Sequence, residues 1–267
     1  MSHCISPPHL DVSDRRTAIV SSRERLRLPE ISLGIVCPMA NEGDDAVRFT
    51  QAVLQQCADF RRVQFFAVFD SATTDHSFER MRAFAWSEPR VSVIWAAEDR
   101  CAVDAYIRGY REALHAGCDW ILEIDAGFSH QPQQIPQFFS KMREGYDCVF
   151  GSRFMKGGRI SESSLERYFI SRMGTVLTNV LLGTRLHDMT SGFELFSRHA
   201  LEMVLDRGIV SRGHFFQTEI KVYCRHLRIT EVPIHYKAAS PRLRMSLLKD
   251  AFCQLWRLYR SGSARTL

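Results

Sequence analysis

Short apolar runs alternate with longer stretches of helical spacing through the middle of the chain. Five runs have the length of strands and span residues 31–37, 63–69, 91–95, 120–124 and 147–150. Between them, apolar residues recur every three to four positions in 46–58, 78–85, 103–116 and 135–143. Strands that alternate with helices predict an α/β fold with an open, mostly parallel sheet covered on both faces.

The two ends of the chain differ from this middle. Residues 1–30 contain Pro7, Pro8 and an arginine-rich run but no long apolar stretch, so we expect a mobile leader. In 243–260, apolar and polar residues fall on opposite sides of a helix, which predicts an amphipathic helix. The expected division is therefore a leader (1–30), one α/β domain (31–240), and a basic amphipathic helix with its tail (241–267).

The positive charge is concentrated at the carboxyl end. The chain has a net charge of +5, yet residues 237–267 contain seven basic residues and one acidic residue. A basic tail can bind nucleic acid, a phosphate-bearing ligand or an anionic membrane, and charge alone does not choose between them. The amphipathic helix fits either a membrane interface or packing on the domain.

Length of apolar runs and cysteine spacing limit the location of the protein. No stretch approaches the roughly 20 apolar residues that span a bilayer. The eight cysteines show no C-x-x-C pair and no metal-binding spacing, which is typical of reduced cysteines in a cytoplasmic protein. We expect a cytoplasmic protein, either in solution or peripheral on the cytoplasmic face of the membrane.

Polar residues follow the predicted strands at the edge where parallel sheets bind ligands. Asp70 and Asp125 each end an apolar run, and Arg153 follows a third. Asp75 is better explained as a residue that fixes the start of a helix. A crevice with these residues suits transfer from a nucleotide diphosphate. The diphosphate leaving group gathers negative charge, which a metal held by a carboxylate or a guanidinium can neutralise. Neither G-x-G-x-x-G nor a P-loop motif is present, which disfavours dehydrogenases and P-loop enzymes.

A series of motifs in this order resembles glycosyltransferase family 2, with its GT-A fold, and most closely its dolichol-phosphate (polyprenyl-phosphate) mannosyltransferase branch. The resemblance covers residues 31–259. The matching segments are PMANE (38–42), DSATTD (70–75), DAYIRG (104–109), DAGFSHQP (125–132), GSRF (151–154), ISR (170–172), DMTSGF (188–193), FQTE (216–219) and EVPI (231–234).

The resemblance implies roles for individual residues. Asp188 and Asp125 are the expected catalytic residues, with Asp188 at the anomeric carbon as a base or a positioning group. Arg172 is expected to meet the acceptor phosphate. Pro38, Glu42 and Asp70 would hold the nucleoside, and Ser71 is the alternative to Asp70 if the register slips by one. The full set implied to bind the nucleotide sugar is Pro38, Glu42, Asp70, Ser71, Asp125, Ala126, Arg153, Gln217, Glu219 and Arg244.

Three departures from the family pattern affect these expectations. Gly127 replaces the second aspartate of D-x-D, which leaves Asp125, with Ser129 and water, to hold Mg²⁺ or Mn²⁺. Arg244 matches the lysine of the family's S-K-M segment, but no arginine aligns clearly upstream. The transmembrane hairpin of many relatives is missing from this sequence. We therefore expect either weaker metal binding or a greater reliance on arginine. We also expect a membrane surface or a membrane partner subunit to supply the acceptor.

The resulting hypothesis is an inverting hexosyltransferase that moves mannose from GDP-mannose to a polyprenyl-phosphate acceptor. A nucleotide-sugar donor, a lipid-phosphate acceptor and no nucleic acid are its expected partners. Two alternatives remain open at this level. One is a family-2 transferase with a UDP-sugar donor and a soluble alcohol acceptor, for which Asp188 would be a true general base. The other is a nucleotide-sugar-binding protein in which Gly127 marks lost catalysis.

Overall fold

The computed structural model describes residues 27–98, 101–161, 165–237 and 245–261. Most of the expected leader and the expected ligand Arg244 lie outside these residues. In chain order, the elements are β1 (Ser32–Met39), α1 (Asp45–Gln55), β2 (Arg62–Asp70), α2 (Ser77–Ser87), β3 (Val91–Ala96), α3 (Ala102–His115), β4 (Trp120–Glu123), α4 (Ile135–Arg143), β5 (Cys148–Ser152), β6 (Arg159–Ser161), α5 (Leu165–Leu182), β7 (Glu194–Ser197), α6 (Arg198–Arg207), α7 (Phe216–Cys224), β8 (Ile229–Pro233), β9 (His235–Lys237) and α8 (Met245–Arg260).

Seven strands form one mostly parallel sheet in the order β3-β2-β1-β4-β7-β5-β8. The five strands predicted from the sequence are confirmed, with ends that differ by one or two residues. The pattern revealed neither β8 nor β7, and β7 pairs antiparallel with both β4 and β5. This strand has only four residues and begins with a glutamate, so it lacks the apolar run that identified the predicted strands. A separate two-stranded ribbon joins β6 and β9.

Alternating residues of the sheet fill two cores, one on each face. Leu33 and Ile35 of β1 belong to one core, and Val36 belongs to the other. Two glycines let α3 lie close to β1: a Cβ at Gly109 would come 2.4 Å from Cγ1 of Val36, and one at Gly34 would touch α3. This close packing fixes the helix against the strands whose ends form the site described below.

The C-terminal helix α8 packs on the domain and leaves one side open. Leu255 and Leu258 are buried in the second core. Phe252, predicted on the same apolar side, is 60% exposed, and Trp256 is also exposed. Packing against the domain is thus confirmed, while part of the apolar side stays uncovered. Within the described ranges, no helix is long and apolar enough to cross a membrane.

Candidate active site

The loops after β1 and β2 are tied together by one asparagine. The Asn41 amide nitrogen donates to the carbonyl of Ala72 (3.0 Å), and its Oδ1 accepts from the backbone N–H groups of Thr74 (2.8 Å) and Asp75 (3.1 Å). The Asp75 carboxylate accepts from the N–H of Ser77, the first residue of α2 (2.9 Å). The prediction that Asp75 fixes a helix start is confirmed. The linking role of Asn41 was not predicted, because it depends on two loops meeting.

The residues expected to hold the nucleoside lie at this edge. Pro38 is the penultimate residue of β1, and Glu42 follows in the loop. Asp70 is the final residue of β2, where its Oδ1 accepts the N–H of Ala72 (2.9 Å), and Ser71 is exposed beside it. The structure brings all four together at the ends of two neighbouring strands. Their contact with a nucleoside stays a prediction.

Asp125 lies just beyond β4 and is oriented by two side chains. The hydroxyl of Tyr106, from α3, donates to its carboxylate. Its backbone N–H donates to Nδ1 of His130 (3.3 Å), whose ring stacks on Phe193 with centroids 5.0 Å apart. Burial lowers the pKa of His130 to about 4, so the ring is neutral near pH 7. Tyr106 and His130 are supporting residues that the motif contained without indicating their function.

The loop after β4 offers oxygen atoms to a cation. Asp125 is partly exposed, Ala126 is buried, and Ser129 is half-buried in the same loop. Gly127 has φ +72°, in the left-handed region that favours glycine, and Phe128 follows at φ +59°. No group of three or more His, Cys, Asp or Glu residues suited to a metal occurs in the part of the chain that the structure describes. Mg²⁺ in nucleotide sites needs only one or two carboxylates beside the substrate phosphates, so the donor set of this loop fits a divalent cation.

Arg153 and Asp188 form a buried, two-pronged ion pair. Nε and one terminal nitrogen of Arg153 donate to the two carboxylate oxygens of Asp188 at 2.7 and 2.8 Å, and the Arg153 backbone N–H adds a third bond at 3.0 Å. Burial alone would raise the pKa of Asp188, but the guanidinium outweighs it and lowers the pKa to about 2. Asp188 is therefore ionised and weakly basic. The sequence identified both residues but not their pairing.

Glu231 holds the segment that carries Asp188. One oxygen of its buried carboxylate accepts from the backbone N–H and the ring Nδ1 of His187, both at 2.7 Å. The other accepts from the backbone N–H of Asp188 at 2.9 Å. The E-V-P-I motif included Glu231, but the contact could not be predicted because the two residues are 43 positions apart in the sequence.

Arg172, on α5, lies near Arg153. The Arg172 guanidinium donates to the carbonyl of His187 (3.1 Å). The guanidinium carbons of Arg153 and Arg172 lie 5.2 and 5.6 Å from the centre of the Phe154 ring. No ion pair links Arg172 to a carboxylate among the described residues. The predicted phosphate-binding arginine is thus beside the Arg153–Asp188 pair, with its charge available.

Gln217 and Glu219 lie deeper, on α7. The Gln217 amide nitrogen donates to Glu123, and its carbonyl oxygen is buried without a hydrogen-bond partner in the described residues. Glu219 accepts from the N–H of Ser211 (2.8 Å) and pairs with Arg257 of α8. The contacts of Glu219 thus join the C-terminal helix to the domain, and the sugar-binding roles of both residues stay predictions.

A groove of about 280 Å³ opens beside the ion pair, between α5, α7 and α8. Arg153, Ser171 and Thr190 line it and are hydrogen-bonded to one another. Apolar residues of α5 and α8, among them Leu177 and Phe252, also line it, together with the polar residues Thr178, His214 and Thr218. The groove therefore combines a polar group beside the ion pair with apolar residues from two helices.

The fold and the site together define a class. The structure superimposes on the crystal structure of glucosyl-3-phosphoglycerate synthase from Mycobacterium tuberculosis in complex with UDP, with a TM-score of 0.62 over 97% of this chain and 86% of that one. Sequence identity is 15%, so this likeness shows the GT-A fold of glycosyltransferases. Crystals of the same synthase also contain Mn²⁺ with UDP.

The sequence comparison is more specific. The model of the family described as Glycosyl transferase family 2 matches residues 34–205, and the chain belongs to that family. It is 33% identical to undecaprenyl-phosphate mannosyltransferase of Micrococcus luteus over 63% of this chain and 70% of the relative. It is 25% identical to polyprenol monophosphomannose synthase of Mycolicibacterium smegmatis over 81% and 84%. The protein is a glycosyltransferase, as the motifs predicted.

Proposed function

We propose that this glycosyltransferase moves mannose from GDP-mannose, with inversion, to a polyprenyl phosphate presented at a membrane surface. The two relatives named above act, by their names, in mannosyl transfer to such lipids. The observation that carries the proposal for this chain is the groove beside Arg153 and Asp188. The hydrogen-bonded group of Arg153, Ser171 and Thr190 suits a phosphate, and the apolar residues of α5 and α8 suit the first isoprene units of the same molecule.

The ionisation of Asp188 supports a phosphate acceptor rather than an alcohol. A carboxylate with a pKa of about 2 is a poor base for a hydroxyl group. A phosphate monoester, with a second pKa of about 6, is already a nucleophile near pH 7. Asp188 then orients Arg153, and Arg172 supplies the charge that binds the acceptor phosphate. The Asp188 segment is itself held by Glu231.

On the donor side, Asp125 with Ser129 would hold a divalent cation. Its chemistry would be to neutralise the charge that develops on the diphosphate leaving group. The Tyr106 hydroxyl holds the Asp125 carboxylate, and His130 accepts the backbone N–H of Asp125. Gln217 is the proposed sugar contact, because its carbonyl oxygen has no hydrogen-bond partner among the described residues.

The exposed apolar side of α5 and α8 is the proposed membrane contact. On α5, Phe169 is 60%, Met173 62% and Val180 76% exposed, and Phe252 of α8 adds to the same region, since the two helices touch. Apolar patches of this kind mark interaction sites. Since the groove opens between these helices, a lipid acceptor could enter it directly from the bilayer. The basic residues of 237–267 would add attraction to anionic lipids. In the proposed division, 31–240 is the catalytic domain and 241–267 the lipid-facing helix and tail.

Transfer itself is tested with the purified full chain, vesicles containing undecaprenyl phosphate, and radiolabelled GDP-mannose or UDP-glucose. We expect a mannolipid from GDP-mannose and little product from UDP-glucose. Product from UDP-glucose alone would reassign the donor. A labelled soluble glycoside without any lipid product would favour the alcohol acceptor.

The groove is tested at Gly174, which lines it and whose added Cβ would meet no atom within 4 Å. Gly174→Leu should fill the groove and raise the KM for undecaprenyl phosphate at least about tenfold, while GDP-mannose binding stays unchanged. Gly174→Ala is the matched control and should act like the wild type. Equal loss of donor and acceptor binding in the leucine variant would contradict the assignment.

Membrane contact is tested by vesicle sedimentation of the double variant Phe169→Ser/Phe252→Ser. The double variant should bind vesicles about tenfold or more weakly, because it loses two exposed aromatic side chains that would be buried in the bilayer. Trp86→Ser is the control, because Trp86 is 89% exposed on α2, outside the proposed contact. Undiminished binding of the double variant would remove α5 and α8 from the contact.

A further inference from the structure

The missing aspartate of D-x-D leaves a space that another carboxylate occupies. A Cβ built on Gly127 would lie 2.6 Å from Oε2 of Glu42 and 3.6 Å from its Cδ. Real Cβ atoms do not approach an oxygen so closely. The Glu42 carboxylate therefore lies where the side chain of the family's second aspartate would begin.

The backbone conformation at residue 127 suits glycine rather than the aspartate of the family pattern. Gly127 has φ +72°, a conformation that glycine adopts freely and that most side chains avoid. With glycine there, the loop after β4 can pass close to Glu42 from the loop after β1. A side chain at 127 and the observed position of Glu42 exclude each other.

The electrostatics of Glu42 suit a cation ligand. Glu42 is half-buried, and the nearby Asp125 carboxylate repels it. Across the described residues, no Lys, Arg or His side chain forms an ion pair with Glu42. The charged group that acts on it most strongly is the Asp125 carboxylate. A divalent cation removes the repulsion between two neighbouring carboxylates. One or two carboxylates, together with substrate phosphates, are the usual ligands of Mg²⁺.

We infer that Glu42 takes the place of the second D-x-D carboxylate, so that Asp125 and Glu42 together bind the divalent cation that accompanies the donor diphosphate. Glu42 is then a metal ligand from the first strand's loop rather than a nucleoside contact. The inference rests on the proposed nucleotide-sugar donor and adds the identity of the second ligand.

The test measures Mn²⁺ binding directly, by loss of the free Mn²⁺ signal in electron paramagnetic resonance, with the full chain and saturating GDP. Glu42→Gln is isosteric and should weaken Mn²⁺ binding about tenfold or more, because a charged ligand is lost. Asp45→Asn, which removes an exposed carboxylate three residues away, should leave Mn²⁺ binding unchanged. Wild-type Mn²⁺ affinity in Glu42→Gln would overturn the inference.

A rescue variant separates ligation from a general loss of structure. In Glu42→Ala/Gly127→Asp, the space near residue 127 is free and the family's carboxylate returns. Aspartate tolerates the left-handed region better than most residues. We expect the double variant to bind Mn²⁺ at least fivefold more tightly than Glu42→Ala, whereas Gly127→Asp alone should bind it more weakly than the wild type. Tighter Mn²⁺ binding by Gly127→Asp alone would show that Glu42 does not fill that place.

The outcome is separable from that of the proposed function. GDP binding without metal, measured by calorimetry, reports on the nucleotide site alone and should be similar in the wild type and Glu42→Gln. If the wild type forms mannolipid but Glu42→Gln keeps full Mn²⁺ affinity, only the ligand assignment fails. If the wild type binds Mn²⁺ through Glu42 but makes no mannolipid, only the proposed acceptor or donor fails.

Discussion

The donor side and the acceptor side of this site handle charge in opposite ways. On the donor side, formed by the loops after β1, β2 and β4, Glu42 and Asp125 are partly exposed and neither pairs with a lysine or arginine among the described residues. On the acceptor side, Arg153 and Asp188 are buried and neutralise each other, and the neighbouring helix α5 exposes apolar side chains.

The difference follows from the ligands that each side is proposed to meet. A nucleotide diphosphate arrives with a cation, so free carboxylates are useful and remain hydrated until then. The isoprenoid tail of a lipid phosphate needs an apolar surface, and an unpaired buried charge beside such a surface would be costly. Pre-pairing Arg153 with Asp188 fixes the geometry, and Arg172 keeps a guanidinium that pairs with no carboxylate in the part of the chain that the structure describes.

The largest effect is expected from breaking the buried pair. Asp188→Asn leaves the Arg153 charge buried without its counter-charge and should lower the free energy of unfolding by about 3–5 kcal/mol. Urea unfolding followed by circular dichroism measures this. Asp45→Asn breaks an exposed ion pair with Arg48 and should cost less than about 1 kcal/mol. Similar costs for the two variants would mean that Asp188 is hydrated in solution.

On the donor side, Asp125→Asn should abolish transfer while the fold survives. The loss of a carboxylate at the leaving group should reduce kcat on the order of 10³-fold, equivalent to about 4 kcal/mol of barrier. Asp119→Asn is the control, since Asp119 precedes the same strand at its other end, where it accepts the N–H of Ser32 (2.8 Å). Turnover near that of the wild type in Asp125→Asn would remove it from the site.

The support beneath Asp125 should be sensitive to pH. The pKa of His130 is lowered to about 4 in the folded protein, so only the unfolded chain binds its proton between about pH 6.5 and 4. The stabilising contribution of His130 is complete above pH 6.5 and is lost as the pH falls towards 4. The stability advantage of the wild type over His130→Asn should therefore shrink by up to about 3 kcal/mol across that window.

Urea midpoints of the two proteins at pH 7, 6, 5 and 4.5 measure this difference. Comparing the two proteins cancels the contributions of the buried acids, such as Glu194, whose pKa burial raises to about 7. A difference that does not change with pH would mean that His130 is protonated or exposed in the folded state.

The smallest effect is expected at Arg172. Arg172→Ala removes one charged contact and should raise the KM for the acceptor about 10- to 100-fold, or about 1.5–3 kcal/mol, with little change in GDP-mannose binding. Arg185→Ala, which removes an exposed arginine that follows α5, is the control. Equal weakening of donor and acceptor would move Arg172 to the diphosphate.

Much of the fold could be read from local pattern. Apolar runs and helical spacing predicted five of the seven sheet strands and the helices between them, because each of these elements buries a continuous apolar stretch or stripe. Residues that end strands, such as Asp70 and Asp125, could be placed at one edge, since parallel strands share a direction. The ordered motifs predicted the family, which the comparison confirms.

Contacts between distant segments could not be read in this way. Residue type indicates that Arg153, Asp188 and Glu231 are polar, but nothing local indicates that 35 to 43 residues of chain fold back to pair them. The same holds for Glu42 beside Gly127, which depends on two loops meeting. Which residues of a helix are buried is also a tertiary property. Leu255 and Phe252 are both apolar positions of the same helical pattern, yet Leu255 is buried and Phe252 is exposed. Sequence periodicity fixes which side chains share a face, whereas packing decides which face is covered and which charges must be paired.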